Sequence, residues 1–494
     1  MPLFKPSIKI ICLSCILIVP TGCALIPADR GRLPQLDVAQ VELAEHIKLP
    51  QDTHRDWPQA RWWQRYDDAQ LDRLIEQALQ NAPTLQIAAT RVETAHAVLA
   101  QNRAEEGVNT AFNADSNRRR YSGTGLFPAP IGGNYFNETA VQVQASYDFD
   151  WWGKRRAAIA AALGEENARQ AEYAQTEQTL TAVIVQHYFN LQAGWARLDN
   201  LQKMLDAQNA LLADKRRRID HGLAAGDERR TAEADIAGTQ RLQAAISAQC
   251  AREIEALRAL LGADHQALTE LRVRSLPEPS PTLPSRLGIE LLARRPDLQA
   301  ARWRVEAALS RIEATEAAFY PDINLAGAIG FDSLTLEKLL KFDSRTLFLG
   351  PALSLPLFDS GRLRSRLDSA RAQRDEVIAD YNQSVFAAVH DVAQEAATLQ
   401  GLQREREAQE HTTTAANHLF ASAEKRFEAG LLDRSTVLSA DLVVLRQHDA
   451  RLQLQNQELS CEIALIKALG GGFSASPETR VGRAVDISSN KPIR

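Results

Sequence analysis

Two long spans of the chain contain no proline, and this limits the fold more than any other feature. None occurs between Pro130 and Pro277, and none between Pro356 and Pro477. Proline removes a backbone donor and clashes with the preceding helical turn, so stretches without it can stay helical over unusual lengths. The two spans also repeat one another. Gly153, Tyr173, Arg218, Gly222 and Gly262 recur as Gly361, Tyr381, Arg426, Gly430 and Gly470, every pair offset by 208 residues. Upstream, "APTLQIAATRVETA" from Ala82 is echoed by "RPDLQAARWRVEAA" from Arg295, offset by 213, which fits a loop of different length. Five landmarks on one offset indicate an internal duplication.

Each half predicts the same order of elements. The first repeat is expected over 68–282, with a strand hairpin at about 109–150 and a long helix pair over 154–262. The second is expected over 283–473, with a hairpin at about 321–358 and a helix pair over 361–470. A medium helix opens each half, from Asp68 to about Arg103 and from Leu283 to about Ala318. The stretch from Lys154 to Asp220 spans roughly 100 Å at 1.5 Å per residue, more than a globular domain needs. Ala157, Ala161, Gly164, Ala168 and Ala171 follow alternating steps of four and three, a heptad seam of small residues along which helices can approach closely. A soluble alanine-rich rod would show the same seam, so the non-helical segments decide the class.

From Thr139 the chain alternates strictly. Val141, Val143, Ala145, Tyr147 and Phe149 point one way, and Gln142, Gln144, Ser146, Asp148 and Asp150 the other. Ile323, Leu325, Gly327, Ile329 and Phe331 alternate in the same manner. A further run sets Leu347, Leu349, Leu353, Leu355 and Leu357 against Gly350, Ala352 and Ser354. The run from Asn109 to Ser122 alternates poorly, and Arg118 to Arg120 are expected near a water-exposed end. Strands of about ten residues with one apolar and one polar or small face are what a membrane barrel uses. Tyr147, Phe149, Trp151, Trp152, Phe319, Tyr320 and Phe358 crowd the strand ends that meet the long helices, as an interfacial belt would. A β-sandwich with one wet face is the competing reading. Four strands cannot close around a lumen, and open edges cannot face lipid, so other copies must complete the barrel. Three copies supply twelve strands.

The N-terminus reads as an export signal over residues 1–22. Lys5 and Lys9 precede an apolar run, Ile10 to Val19, too short to span a bilayer. It ends at "PTGCAL", which resembles the lipobox of bacterial lipoproteins and implies Cys23 as the lipid attachment residue; the alternative is ordinary signal cleavage near Ala24. Residues 23–67 then form an anchor and extended linker, and 474–494 a C-terminal tail expected to be disordered. Cys250 and Cys461 sit within helical patterns and are read as buried small residues, with no disulfide framework. The formal charge of −5 argues against a nucleic-acid partner.

Taken together, "RWWQRYDDAQLDRLI" from Arg61, "SYDFDWWGKRR" from Ser146, "LLARRPDLQAA" from Leu291, "FYPDINLAGAIG" from Phe319, "LPLFDSGRLR" from Leu355 and "IKALGGGF" from Ile466 resemble the TolC family of outer-membrane efflux ducts, in its lipoprotein branch. The resemblance implies a mainly α-helical homotrimer. Long helical hairpins would form a periplasmic tunnel below a twelve-stranded barrel in outer-membrane lipid. It also implies partnership with a periplasmic adaptor and an inner-membrane pump. Gly222, Gly226, Asp227 and Gly430 become the helix-tip turns and adaptor contacts, with Asp227 and Asp433 capping the returning helices. Asp433 and Arg434, with Arg426, Arg218 and Glu228 as neighbours, become the periplasmic aperture. No catalytic set, metal site or cofactor motif is present, and His411 and His418 read as solvated. A protein-secretion duct shares this fold. A soluble periplasmic coiled-coil adaptor is the remaining alternative.

Overall fold

The computed structural model describes residues 26–29, 31–36, 57–223, 225–263, 268–280, 291 and 293–473. Two compact units can be distinguished, one over residues 1–35, 91–169 and 301–381, the other over 36–90, 170–300 and 382–494.

The first unit holds one antiparallel four-stranded sheet of order β1-β2-β3-β4: β1 (Asn109–Arg120), β2 (Tyr135–Phe149), β3 (Asp322–Ser333) and β4 (Arg345–Ser354). The hairpins of the two repeats therefore join through β2 and β3, leaving β1 and β4 as edges. Register sets Phe112, Val143, Ile329 and Leu347 in one cross-strand row, all on one face. They are 68%, 45%, 62% and 79% exposed, so nothing among the described residues covers that face. Gln142 and Gln144 lie on the other face, opposite Asn113 and Ala111. Thus β1 does alternate: Thr110, Phe112, Ala114 and Ser116 on the apolar side, Asn109, Asn113 and Asp115 on the polar side. Small and hydroxylated residues on its apolar side hide the pattern from a reading by hydropathy. In β4, Phe348 shares the face of Gly350 and Ala352, and Leu355 and Leu357 fall beyond the strand end. At Gly330 a Cβ would stand 2.2 Å from the Val141 carbonyl oxygen, a contact that leaves room only for glycine.

Helices in this unit meet along small residues, as the heptad seam predicts. A Cβ on Gly164 would lie 3.0 Å from that of Ala307, and Ala157, Ala161 and Ala168 are buried. Phe319 is only 5% exposed and packs with Ile312, Leu363 and Leu367, so it belongs to the core and not to the aromatic belt. Trp152 and Tyr320 stack with centroids 4.6 Å apart at the strand ends, where a belt is expected.

The second unit carries the larger core, including Leu71, Ile75, Ile184, Tyr188, Leu191, Leu201, Leu257, Leu261 and Leu459. The continuous helix expected from Asp68 to Arg103 is instead two, α1 (Ala69–Asn81) and α2 (Pro83–Ala104). Ala82 sits between them in extended geometry, φ −60° and ψ 125°. The ring of Pro83 disfavours helical geometry at the residue before it. The second repeat breaks at the equivalent place, where α5 (Pro296–Ala317) opens on a proline. Arg295, buried at that break, donates to Asp297 (2.7 Å), Asp391 (3.2 Å) and the Ala468 carbonyl (3.0 Å). Cys250 and Cys461 are free and buried, and burial pushes the Cys461 thiol up to about 12. The long helices are α3 (Lys154–Asp220) and α6 (Arg362–Glu428), 67 residues each; α4 (Gly226–Leu261) and α7 (Arg434–Ala468) return from them. Among the described residues no helix is long and apolar enough to cross a membrane.

Candidate functional site

The two helix reversals, both in the second unit, collect most of the charged residues singled out in the sequence. Each is built the same way. At the end of α3, Gly222 takes φ 69°; its N–H donates to Ile219 (2.9 Å), and the next N–H, of Leu223, reaches back to Arg218 (2.7 Å). At the end of α6, Gly430 takes φ 72°, donates to Phe427 (2.9 Å), and Leu431 donates to Arg426 (2.8 Å). These two bonds satisfy carbonyls that a helix end leaves open, and the left-handed residue that permits them is nearly free of strain only as glycine. Leu223 and Leu431, one residue past each glycine, are about equally exposed, at 70% and 69%. Sequence reading missed this symmetric pair, which sits at the same 208-residue offset as the glycines.

The starts of the returning helices differ. Asp433 is the N-cap of α7: its carboxylate accepts from the Thr436 N–H at 2.9 Å and from the Thr436 hydroxyl. In the first repeat Ala225 occupies the N-cap and makes no side-chain bond. Asp227 therefore does not cap α4. The position matching Asp433 by the repeat offset is Ala225, which places Asp227 one residue inside the helix, where acids suit the positive end of the helix dipole. Gly226 is not a turn residue either. It opens α4, and a Cβ there would meet nothing within 4 Å.

Asp433 also joins the two tips. Arg218 of the first donates to the Asp433 carboxylate and, at 3.2 Å, to the Ser435 hydroxyl. The Thr436 hydroxyl does most to bring the Asp433 carboxyl down to about 2; the Thr436 N–H, Ser435 and Arg218 add to it, and partial burial opposes. Arg426, Arg434 and Glu228 remain exposed, and among the described residues none of them forms an ion pair within the chain. Of the two arginines expected beside Asp433, the structure thus pairs it with Arg218 and not with Arg426. The repeat makes those arginines equivalent in sequence, and only the way the tips meet separates them. Cys23 lies outside the described residues. His411 and His418 are exposed, and no cluster of metal-ligating side chains occurs among the described residues.

A sheet with one apolar and one polar face, joined to two 67-residue helices that reverse at left-handed glycines, defines an outer-membrane channel protein. Residues 74–263 and 287–471 match the model of the outer membrane efflux protein family, one segment per repeat, and the chain belongs to that family. It is 37% identical over 465 residues to the multidrug resistance outer membrane protein MdtP of Shigella flexneri, covering 92% of this chain and 95% of the relative. It is 36% identical over 468 residues to MdtQ of Escherichia coli O157:H7, covering 93% and 97%. The outer membrane protein VceC of Vibrio cholerae superposes with a TM-score of 0.76 at 33% identity, over 85% of this chain and all of that one. The Campylobacter jejuni CmeC outer membrane channel shares the fold, with a TM-score of 0.81 at 20% identity over 93% and 97%. The protein is accordingly an outer-membrane efflux channel and not an enzyme.

Proposed function

We propose that three copies of this chain form the exit duct of a tripartite efflux system, taking drugs or other small toxic compounds from an inner-membrane pump and a periplasmic adaptor to the outside. The observation that carries this reading is the open sheet. Among the described residues it has two unpaired edges and an uncovered apolar face, a combination stable in lipid only when copies pair edge to edge. The repeat boundaries proposed from sequence, 68–282 and 283–473, divide the chain into halves that each contribute one hairpin to the barrel and one helical hairpin to the tunnel. Cys23 is the proposed lipid anchor. The paired tips are the proposed aperture: Arg218 and Asp433 hold neighbouring reversals together, with Arg426, Arg434 and Glu228 free to reach the tips of other copies. Gly222, Gly226, Asp227 and Gly430, with the exposed leucines beside the two turns, form the proposed adaptor surface.

The aperture reading is tested with Asp433→Asn. Asparagine caps a helix about as well as aspartate, so a capping role alone predicts little change in melting temperature or conductance. An aperture role predicts raised single-channel conductance in a planar bilayer with the trimer still folded, because the charge that engages Arg218 is gone. Conductance equal to that of the parent would defeat the aperture. The barrel reading is tested with the pair Val143→Asp and Gln144→Asp. The first puts charge in hydrocarbon at a cost of up to about 2 kcal/mol and should impair trimer assembly. The second faces water and should not. Equal behaviour of the two would refute the assigned faces.

A further inference from the structure

The strand register sorts the charged residues of the sheet by face. Beyond Phe112 and Ala114, the apolar face of β1 continues through Ser116 to Arg118 and Arg120; beyond Leu347, that of β4 continues to Arg345. Arg119 falls on the polar face, and so do the strand acids of that end, Asp115, Glu138 and Asp332. The lipid-side face therefore ends in three arginines and no strand acid. Among the described residues none of the three has an ion-pair partner, and all three are exposed. They are held over aromatic rings instead: Arg118 and Arg120 at 5.2 and 5.9 Å from the Tyr135 centroid, Arg345 at 3.2 Å from that of Phe342. Such stacking keeps the guanidinium planes in place and leaves their N–H groups free.

Height along the strand identifies what they meet. Arg118 stands opposite Asn137, and Phe149 begins the aromatic cluster at the helix-bearing end of β2. The strand between those positions runs roughly 40 Å at 3.4 Å per residue. Tilted by about 40°, it rises about 30 Å, the thickness of the hydrocarbon layer. The Ser116–Thr139 hydroxyl pair, 2.9 Å apart, already marks the passage from apolar to polar side chains on this face. Arg118 and, two residues beyond it, Arg120 thus reach the headgroup level of the leaflet opposite the helices, whereas Arg345 pairs with Phe331, itself opposite Val141, and stands four residues nearer the helices. Resting on the duct reading above, we propose that Arg118 and Arg120, both held over Tyr135, form a binding site for the phosphate groups of outer-leaflet lipid. Guanidinium forks match phosphate geometry, and three copies would ring the barrel with such sites.

The test uses the full-length trimer in detergent, with bis-phosphorylated lipid A, its dephosphorylated form and inorganic phosphate as probes, read by native mass spectrometry. Arg118→Gln and Arg120→Gln should each weaken lipid A retention roughly fivefold, and the double variant about 25-fold. Arg119→Gln, on the opposite face, should retain lipid like the parent, and lysine at the two positions should keep most of the binding. Equal retention by the double variant and Arg119→Gln would overturn the proposal. So would equal binding of the dephosphorylated lipid, or displacement of bound lipid A by millimolar phosphate, which would mark a site for the free ion. Trimer mass and conductance are read on the same preparation. A parent that neither trimerises nor conducts indicts the duct reading; a conducting parent that shows no preference for phosphorylated lipid overturns only this site.

Discussion

The two helix tips have the same backbone and different chemistry. Both long helices end on a left-handed glycine with the same pair of reverse hydrogen bonds, 208 residues apart. Only the second tip has a side-chain cap, because Asp433 stands where the first has Ala225. The lesson is that duplication preserved what the fold needs, the reversal, while the acid that can cap and pair was kept or gained on one side only. That single acid gives Arg218 of one tip a partner in the other.

The largest expected effects fall on what the tips share. Gly222→Ala and Gly430→Ala should each destabilise the protein by about 1–2 kcal/mol, the cost of a left-handed Cβ, while Gly226→Ala should stabilise it slightly as an ordinary helix position. Chemical denaturation of the three variants would check this, and a loss at Gly226 as large as at the other two would break the comparison. Next comes what they do not share. Asp433→Ala should cost about 1 kcal/mol, and Ala225→Asp should recover a similar amount by giving the first tip the cap it lacks. Calorimetry should show opposite signs; two losses would mean that the first tip cannot accept a cap.

The smallest expected effect is on pH. The Asp433 carboxyl is lowered from 3.8 to about 2 in the folded chain. A depressed carboxyl adds stability that is fully present above its unfolded value and is lost as pH falls towards its folded one. The tip pair should therefore stay intact from neutral pH down to about pH 4 and weaken only between there and about pH 2. Conductance should be flat over the upper range. A rise near pH 6 would point to a group other than Asp433.

Much of this could be read from the chain. The prolines bounded the long helices, the repeat offset found both glycines, and strict alternation found β2 and β3. Other features were hidden for definite reasons. β1 looked irregular because its lipid side is built from Thr110, Ala114 and Ser116, whose hydropathy says little, and only pairing with β2 assigns their face. Phe319 looked like one more belt aromatic, because composition does not distinguish a ring in an interface from a ring packed on Leu367. Asp227 looked like a cap because it lies near a glycine, while the helix begins before it.

By itself the sequence determined the local and periodic features: where the helices run, where glycine must reverse them, and which strands carry two unlike faces. These follow from covalent geometry and from side-chain spacing along one strand or one helix. Tertiary structure decided everything that depends on which distant residues meet: that β2 pairs with β3 and not with a repeat of itself, that Gly164 lies against Ala307, and that Asp433 goes to Arg218 when Arg426 is its equal in sequence. A duplicated chain can offer two chemically identical partners for one contact, as Arg218 and Arg426 are for Asp433. Spacing along the chain cannot choose between them, but packing can, because only one of the two comes within hydrogen-bonding reach.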